Sequence, residues 1–512
     1  MRLGIDFGTT RTVVACCDRG NYPVLSFFDD AGDTVDFFPT VVAEHKGELT
    51  FGLDALHVAD QRGWSLVRSF KRLLSRPRAA DAVVQVGSVE IGVAELITRF
   101  LAALRDAILY RSNRPAAGSD ERLIAVVATP ANAHGAQRFV TLDTFRRAGF
   151  EVIGMLNEPS AAGFEYTHRH HRTITSRREH IVVYDLGGGT FDASLVHLSG
   201  RHHDAVATAG LNHLGGDDFD AVLADVVLSS VKLDRKELPR RAQALLLDQC
   251  REAKERLNPS SRRIAIDLEA VLGDAAPQAE VTIAVQDFYE AATPLVERTI
   301  VAMQPVMVKL DDNVDAAMTE IAGIYVVGGA SALPVVPRVL RERFGRRVHR
   351  SPYPSGAIAI GLAIADEEAG FEISDRLSRH FGVFREGRGG EEVVFDPIFD
   401  REERIPSQGE GRSVIPRVYR AAHNVGRYRF VECAALDERG VPIGDITAYG
   451  DVLFPFDPLL REELDLGGVP IRRMMREGPL IQEKYSVTEH GLVKVTITDL
   501  ETGYERAFHM GA

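Results

Sequence analysis

Two short segments far apart in this chain, residues 4–10 and 185–192, share one pattern of glycine and threonine next to an aspartate. They read GIDFGTT and DLGGGTFD, and each is followed by an apolar stretch without helical spacing. Each segment therefore predicts a strand, a tight turn and a returning strand. A P-loop or dinucleotide motif would instead need its glycines to open a helix, so those folds are disfavoured.

The chemistry that these turns suit is the binding of phosphate. Glycine lets the backbone approach an anion, consecutive turn amides form an anion-binding concavity, and threonine adds a hydroxyl donor. The nearby aspartates would repel bare phosphate, which implies a divalent cation between them. One such turn alone is most often an ordinary glycine-rich hairpin. Two facing turns predict a phosphate clamp with ligand between two halves.

Bulk composition limits the classes of partner and compartment. At 512 residues the chain should form about two to four domains. A net charge of −13 and a pI near 5.7 argue against a general nucleic-acid or acidic-membrane partner. The four cysteines show neither metal spacing nor a disulfide framework, and the sequence shows neither a leader nor a long apolar stretch. We expect a cytoplasmic protein.

The order of elements predicts an α/β architecture followed by a β-rich region. Apolar strands alternate with helices in two similar halves as far as about residue 370. Helical spacing predicts helices over residues 64–74 and 93–109, and a third apolar strand ends in the glycine pair at 328–329. Beyond residue 371 short strands separated by glycine and proline turns predict a sandwich.

These residues closely resemble the 70-kDa heat-shock (DnaK-type) chaperone family over nearly the whole chain. The motifs that carry the resemblance occur in the family's order: IDFGTT, SFKRLL, ATPANAHGAQR, NEPSAA, VVYDLGGGTFD, HLGGDDFD, REAKERL and VVGGAS. The resemblance implies an actin-like two-lobed ATPase domain with a duplicated ribonuclease-H-like core at residues 1–370. It also implies a linker at 371–379 and a β-sandwich peptide-binding domain at 380–512. Because the last strand is expected to end near residue 510, we expect a lidless member that lacks the family's helical lid.

The resemblance assigns catalytic and metal roles to matching positions in this chain. Lys71 would orient the attacking water and offset charge on the γ-phosphate, while Thr190 would contact phosphate. Asp6, Glu158 and Asp185 would position Mg²⁺ through its water shell. Asp192 would complete the polar network around the water or a K⁺ ion.

The resemblance also assigns residues that would hold ATP or ADP. They are Gly8, Thr9, Thr10, Arg11, Gly187, Gly188, Gly189, Thr190, Gly215, Gly216, Arg251, Lys254, Glu255, Asn258, Gly328, Gly329 and Ala330. Pro130 and Arg138 look like the elements that couple nucleotide state to the β-domain. The implied partners are unfolded or extended peptide segments, a J-domain co-chaperone and a nucleotide-exchange factor.

Several positions depart from the family's pattern or have a plainer interpretation. Arg11, Arg251 and Asn258 replace the usual residues, and residues 330–332 lack the usual adenine-stacking arginine, so altered adenine affinity is expected. A less apolar linker at 370–375 predicts weaker docking. Considered alone, Lys71 could be a solvated lysine and Glu158 could cap a helix. Their positions between the two phosphate-binding turns favour roles in catalysis and Mg²⁺ binding. Tyr428 and Phe430 could line a peptide pocket or form an ordinary alternating strand face.

A further cluster of histidine and arginine follows the NEPSAA helix at residues 168–178. It could bind metal or phosphate, but a solvated loop is the favoured interpretation and we assign it no role.

Two functions from different classes remain open. The first is an ATP-hydrolysing, slow ATPase chaperone that binds unfolded peptides under nucleotide control. The alternative is a weakly hydrolysing, nucleotide-dependent scaffold that binds one dedicated protein partner. A small-molecule kinase is disfavoured because it would leave the β-domain unexplained.

Overall fold

The computed structural model describes most of the chain. Outside the described part lie residues 30–31, 60, 77–78, 115–120, 200–201, 212, 311–313, 368–375, 388–390, 402, 407–413, 475–476 and 512. The predictions for the linker segment 370–375, and for part of the linker 371–379, therefore fall outside the described residues.

The strands and helices follow the predicted alternation. The first strands are β1 (Arg2–Phe7), β2 (Arg11–Cys16), β3 (Phe27–Phe28), β4 (Thr34–Val35), β5 (Phe38–Pro39), β6 (Val41–His45), β7 (Glu48–Phe51), β8 (Ser65–Arg68), β9 (Val83–Val86), β10 (Val89–Gly92), β11 (Ile124–Thr129) and β12 (Glu151–Asn157). Next come β13 (His180–Leu186), β14 (Phe191–Ser199), β15 (His202–Leu211), β16 (Arg263–Asp267), β17 (Glu280–Ala284), β18 (Ile321–Val327) and β19 (Val348–Arg350). The C-terminal strands are β20 (His380–Gly387), β21 (Glu392–Phe399), β22 (Val414–Arg420), β23 (Val425–Leu436), β24 (Pro442–Ala448), β25 (Val452–Pro455), β26 (Leu480–Val487), β27 (Val493–Asp499) and β28 (Glu505–His509).

Helices separate the strands mainly before residue 370. They are α1 (Gly52–His57), α2 (Val93–Tyr110), α3 (Gly135–Arg147), α4 (Glu158–His170), α5 (Gly216–Ser230), α6 (Arg240–Glu255), α7 (Leu268–Leu272), α8 (Val285–Met307), α9 (Val314–Glu320), α10 (Val335–Phe344) and α11 (Ala357–Glu367). A mixed α/β fold with several sheets is therefore confirmed. No helix in the described ranges is long and apolar enough to cross a membrane.

The chain divides into two compact units. The first contains Met1–Thr12, Leu25–Asn157 and Ala369–Ala512, and the second contains Val13–Val24 and Glu158–Glu368. The C-terminal β-rich region thus packs with the N-terminal sheet in the first unit, whereas the predicted boundaries at 370 and 380 stay predictions.

The N-terminal sheet of the first unit has the order β12-β11-β1-β2-β5, in which β1, β11 and β12 are parallel. Parallel strands end at a common edge, so Phe7, Thr129 and Asn157 close their strands on the same side. An aromatic core lies beneath this edge, where Phe100 of α2 stacks on Phe7 at 5.6 Å and meets Phe70 at 5.3 Å. The edge therefore rests on a buried cluster of aromatic rings.

The β-rich part of the first unit consists of two antiparallel sheets that share one core. Their strand orders are β21-β20-β23-β24, with β25 added to β23, and β22-β26-β27-β28. The alternation of β23 places Tyr428 and Phe430 in that core, at 5% and 0% exposure. Their burial fits the interpretation as an ordinary strand face better than a peptide-lining role.

The second unit is built on the sheet β15-β14-β13-β18-β19. Strands β13 and β14 form the antiparallel hairpin that the second glycine motif predicts, with Asp185 opposite Asp192. Strands β13, β18 and β19 run parallel, and α5, α6 and α8 contribute to the buried core.

The helix predicted over residues 64–74 is wrong. Residues Ser65–Arg68 form β8, which pairs with β6, and only Phe70–Ser75 is helical, as a 3-10 turn. Between them Ser69 adopts a left-handed conformation with φ 58°. The pairing with β6 is a non-local interaction that overrides the local apolar spacing.

Candidate functional site

The first glycine turn is held closed by its own backbone and by Thr40. A side chain on Gly8 would bring its Cβ within 2.2 Å of the Arg11 carbonyl oxygen, so only glycine fits. The Thr40 hydroxyl donates to the Gly8 carbonyl at 2.9 Å, and the Thr40 amide donates to the Thr10 carbonyl at 3.0 Å. These bonds fix a turn that begins directly after Asp6 and Phe7.

Lys71 lies beside this turn in the same unit. Its side chain is only 8% exposed, and its ammonium lies 5.5 Å from the centre of the Phe7 ring. The 3-10 turn that carries it is anchored by Phe70 and Leu74, which are 2% and 0% exposed. A solvated surface lysine does not fit this burial. The residues predicted to orient water and to hold phosphate in the first unit are thus neighbours.

Arg11 stacks on an aromatic ring. Its guanidinium carbon lies 4.3 Å from the centre of the Phe37 ring. This cation–π contact gives the arginine a structural role at the start of β2.

The second glycine turn packs against the start of α5 in the second unit. The amides of Gly216 and Asp217 donate to the carbonyls of Gly187 and Gly188 at 2.9 and 2.8 Å. A Cβ on Gly215 would lie 2.5 Å from the Gly189 nitrogen, so the two glycine segments touch. The structure therefore brings together two segments that the sequence separates.

Lys254 and Gly328 also lie beside the second glycine turn and the start of α5. The Lys254 ammonium donates to the Gly216 carbonyl at 2.7 Å and pairs with Asp220 at 2.6 Å. Ala330 lies on the same side, 3.4 Å from where a Cβ on Gly216 would be. Gly328 has φ 86° and packs tightly against Asp185. A Cβ added to Gly328 would lie 2.2 Å from Oδ1 of Asp185.

Two of the predicted nucleotide residues, Arg251 and Asn258, have partners within the protein. The Arg251 guanidinium lies 3.3 to 3.4 Å from three carboxylates, those of Asp217, Asp220 and Asp248. Asn258 uses its Oδ1 to accept from the Ser260 amide at 2.9 Å, which closes a turn after α6. Both side chains, which the resemblance assigns to adenine binding, therefore contact other groups of the protein.

Acidic side chains gather at the end of the β13–β14 hairpin. Burial, followed by the nearby charge of Glu158, raises the pKa of Asp192 to about 7. Asp185 stands opposite Asp192 across the hairpin. In the described part of the chain no group of three His, Cys, Asp or Glu residues is spaced to chelate a metal directly. Mg²⁺ binds oxygen ligands and usually keeps several of its waters, so these carboxylates could hold it without direct chelation.

The β-rich part of the first unit contacts the beginning of α3. The Gly135 amide donates to Glu432 Oε2 at 2.9 Å, and the Ser378 hydroxyl donates to the Ala133 carbonyl at 2.9 Å. Arg379, 4% exposed, lies beside Glu432 and binds Asp445 through Nη1 at 2.8 Å. The contact is therefore made of polar groups, among which Arg379 and Glu432 are buried.

Arg138 connects this contact to the edge of the N-terminal sheet. Its Nε donates to the His490 carbonyl at 3.1 Å, and its Nη1 donates to Thr129 Oγ1 at 3.0 Å and Asn157 Oδ1 at 3.3 Å. Thr129 and Asn157 end β11 and β12, and Glu158 follows Asn157 in the chain. One buried side chain thus joins the β-rich part to the last residue before a predicted metal-binding carboxylate.

His134 links the same helix to the segment that carries Lys71. Its Nδ1 accepts from the Gln137 amide at 3.1 Å as the N-cap of α3, and its Nε2 lies 3.2 Å from the Ser75 carbonyl. Burial lowers the pKa of His134, so the ring is held neutral with its proton on Nε2.

Sequence reasoning pointed to Arg138 but missed Glu432, Arg379 and His490. Glu432 lies 297 residues from its partner Gly135, and nothing local marks it. The only sequence signal is a carboxylate within an otherwise apolar strand segment.

Comparison with known proteins finds similarity over most of the chain to the family that the sequence motifs resemble. The family model described as Hsp70 protein matches residues 117–370. Chaperone protein HscA homologs from Burkholderia multivorans and Burkholderia cenocepacia are each 34% identical to this chain, over 433 and 434 residues, and one from Burkholderia ambifaria is 33% identical over 433. Each match covers 79% of this chain and 65% of the relative, so the chain spans just under two thirds of their length. The chain belongs to the 70-kDa heat-shock (Hsp70) family.

Proposed function

We propose that this protein is an ATP-hydrolysing chaperone that binds extended peptide segments through its β-rich part under nucleotide control. The observation that carries the proposal is the buried contact of Arg138 with His490, Thr129 and Asn157. It gives the β-rich part a polar connection to the strand edge where the predicted nucleotide residues lie.

The two glycine turns would hold the phosphates of ATP. In the first turn Thr9 and Thr10 supply hydroxyls and amides, and in the second the run Gly187, Gly188, Gly189 and Thr190 supplies amides and a hydroxyl. Lys71 would place its positive charge at the γ-phosphate and orient the attacking water, in line with its burial beside Phe7.

Asp6, Glu158 and Asp185 would hold Mg²⁺ through water. When bound, Mg²⁺ neutralises charge on the phosphate oxygens. These residues would position the hydrated ion, and Asp192 would support them as a carboxyl whose pKa is raised by burial and then by the charge of Glu158. Asp192 would also lie beside a K⁺ ion if one is bound.

We further propose the domain organisation of the family for this chain. Residues 1–370 would form an actin-like two-lobed ATPase domain, 371–379 the linker and 380–512 a β-sandwich peptide-binding domain. The last assignment is supported by the two antiparallel sheets around one core. A J-domain co-chaperone and a nucleotide-exchange factor are the partners that family membership suggests.

Peptide affinity measured with ATP and with ADP tests the control that the proposal requires. A labelled extended apolar peptide should bind more weakly with ATP than with ADP in the wild type. Arg138→Ala should abolish the difference, because it removes the connection to His490, whereas Arg147→Ala on the exposed face of α3 should retain it. Equal affinity with the two nucleotides in the wild type would refute nucleotide control.

One observation favours the alternative scaffold function. Arg251 pairs with three carboxylates and Asn258 closes a turn, and these partners would compete with adenine for both side chains. A scaffold would bind its partner in a nucleotide-dependent way while turning over little ATP. Stimulation of phosphate release by an unfolded client would rule it out.

A further inference from the structure

Two segments of the second unit carry a local excess of arginine. Residues 169–180 contain four arginines and one glutamate, and residues 341–350 contain five arginines and one glutamate. Neither segment contains lysine, and the whole chain has a net charge of −13. We name these two segments together the arginine surface. Its charge is opposite to that of the chain as a whole.

The two segments of the arginine surface lie side by side. The rings of His170, at the end of α4, and His349, in β19, are 4.8 Å apart. Burial, followed by the charge of the nearby Arg178, lowers the pKa of Arg347. Arg341 likewise lowers the pKa of Arg350, after the larger effect of burial. Like charges therefore lie close together both across the junction, at Arg178 and Arg347, and within the second segment, at Arg341 and Arg350.

Most of these arginines have no acidic partner in the described part of the chain. Arg169 pairs with the buried Glu165 at 2.7 Å. The remaining arginines of the surface form no ion pair with any described residue: Arg172, Arg177, Arg178, Arg341, Arg343, Arg346, Arg347 and Arg350. Nη1 of Arg347 is shielded from solvent and has no hydrogen-bond acceptor among the described residues. A shielded donor without an acceptor is costly, so pairing with an anion would stabilise the Arg347 guanidinium.

Metal binding does not explain the cluster. The described residues include no group of three His, Cys, Asp or Glu side chains spaced for a metal, although several histidines lie here. The pKa values of His170 and His349 are lowered, chiefly by burial, so both rings are mainly neutral near pH 7 and the charge comes from arginine. The cluster is arranged for an anion.

We propose that the arginine surface binds an acidic segment of a partner protein. Guanidinium groups form bidentate hydrogen bonds with carboxylates, and a surface of arginine without lysine suits that planar recognition. Complementary charge of this kind steers association and selects the partner. The proposal does not depend on ATP binding or peptide release.

A protein partner fits better than a nucleic acid or a membrane. A long polyanion or an anionic bilayer extends past the surface and meets a molecule with 13 excess negative charges. A short acidic segment ends within the arginine surface and avoids that repulsion. The partner is therefore expected to present a few carboxylates in a compact stretch.

The test uses the full chain and a short labelled peptide of aspartate and glutamate, followed by fluorescence anisotropy at low ionic strength. The variant Arg178→Glu/Arg347→Glu should bind at least about tenfold more weakly than the wild type. The matched control Arg62→Glu/Arg241→Glu changes the net charge equally at exposed arginines outside the surface and should bind within about twofold of the wild type. If the first variant is poorly folded by circular dichroism, Arg343→Glu/Arg346→Glu at exposed positions replaces it.

Three results would overturn the proposal. They are a wild type that does not bind the acidic peptide, equal loss of binding in the surface and control variants, and no loss in either. Tighter binding of a single-stranded oligonucleotide or of phosphatidylglycerol vesicles than of the peptide, lost in the same surface variant, would assign the arginine surface to that other class of partner and also overturn it.

Discussion

The Nε of Arg138 donates a hydrogen bond to the backbone carbonyl of His490 at 3.1 Å, across 352 positions of sequence. Because Arg138 also holds Thr129 and Asn157, it fastens the β-rich part to the ends of β11 and β12. The side chain is 3% exposed, so truncation removes a buried donor from these three acceptors.

Arg138→Ala is expected to weaken this contact by about 2 to 4 kcal/mol, since a guanidinium serves several buried acceptors. Hydrogen exchange of the amides around residues 488–492 should quicken at least about tenfold. Arg147→Ala, on the same helix but 44% exposed, should leave exchange there unchanged. Unaltered exchange in Arg138→Ala would show that the contact does not depend on this arginine.

Gly135→Ala is expected to separate docking from catalysis. The added Cβ would lie 2.5 Å from the Tyr449 hydroxyl and 2.9 Å from Glu432 Oε1, while alanine favours the helix itself. The exchange protection of β23 and β24 should fall and basal phosphate release should persist. Gly92→Ala, at a helix start with no atom within 4 Å of the new Cβ, is the control. Full protection in Gly135→Ala would contradict the observed packing.

His134 is expected to make the first unit sensitive to acid. Its folded pKa is lowered by burial, so the unfolded chain binds the proton more tightly between that pKa and about 6.5. Stability should therefore be complete above about pH 6.5 and decline as pH falls below it, by at most about 1.4 kcal/mol per pH unit. Glu432, Arg379 and Asp445 are the charged groups that face the ring.

His134→Asn supplies the control for this pH effect. Asparagine retains an acceptor for the Gln137 amide but does not titrate. The difference in urea midpoint between wild type and variant should be constant above pH 6.5 and change below it. A difference that does not vary with pH would exclude His134 as the source.

Among the ion-paired residues of the β-rich part, Arg385 is expected to cause the largest loss of stability when it is replaced by alanine. It binds Glu483, which is 0% exposed, and Asp396, which Arg417 also binds. Arg385→Ala leaves the Glu483 carboxylate buried without its cation and should destabilise by about 3 to 5 kcal/mol. Urea unfolding measures the loss, and Arg427→Ala at an exposed pair should be nearly neutral. Equal midpoints for the two variants would refute this ranking.

Much of the local structure is predictable from the sequence, because glycine allows the tight turns and close approaches that other residues avoid. The hairpin with Asp185 opposite Asp192 follows directly from the DLGGGTFD pattern. The stretch containing Lys71 was mispredicted, because Ser65–Arg68 pairs with β6 and Ser69 then reverses the chain with φ 58°. Local apolar spacing does not report such a distant partner.

Side-chain partners of the site were less predictable than its backbone. The family resemblance assigns Arg251 to the adenine side but does not show its carboxylate partners, of which one lies a helical turn away and two lie on α5. The contact of Glu432 with Gly135 joins segments that no local pattern connects. Such pairings depend on tertiary packing, whereas the glycine turns depend on backbone conformation alone.

Phosphate release from ATP by the wild type, by Lys71→Ala and by the exposed control Lys236→Ala, each with and without an unfolded client, tests the account most directly. The account predicts turnover in the wild type and in Lys236→Ala that the client increases, and a loss of at least about a hundredfold in Lys71→Ala. Equal rates in Lys71→Ala and the wild type would contradict it.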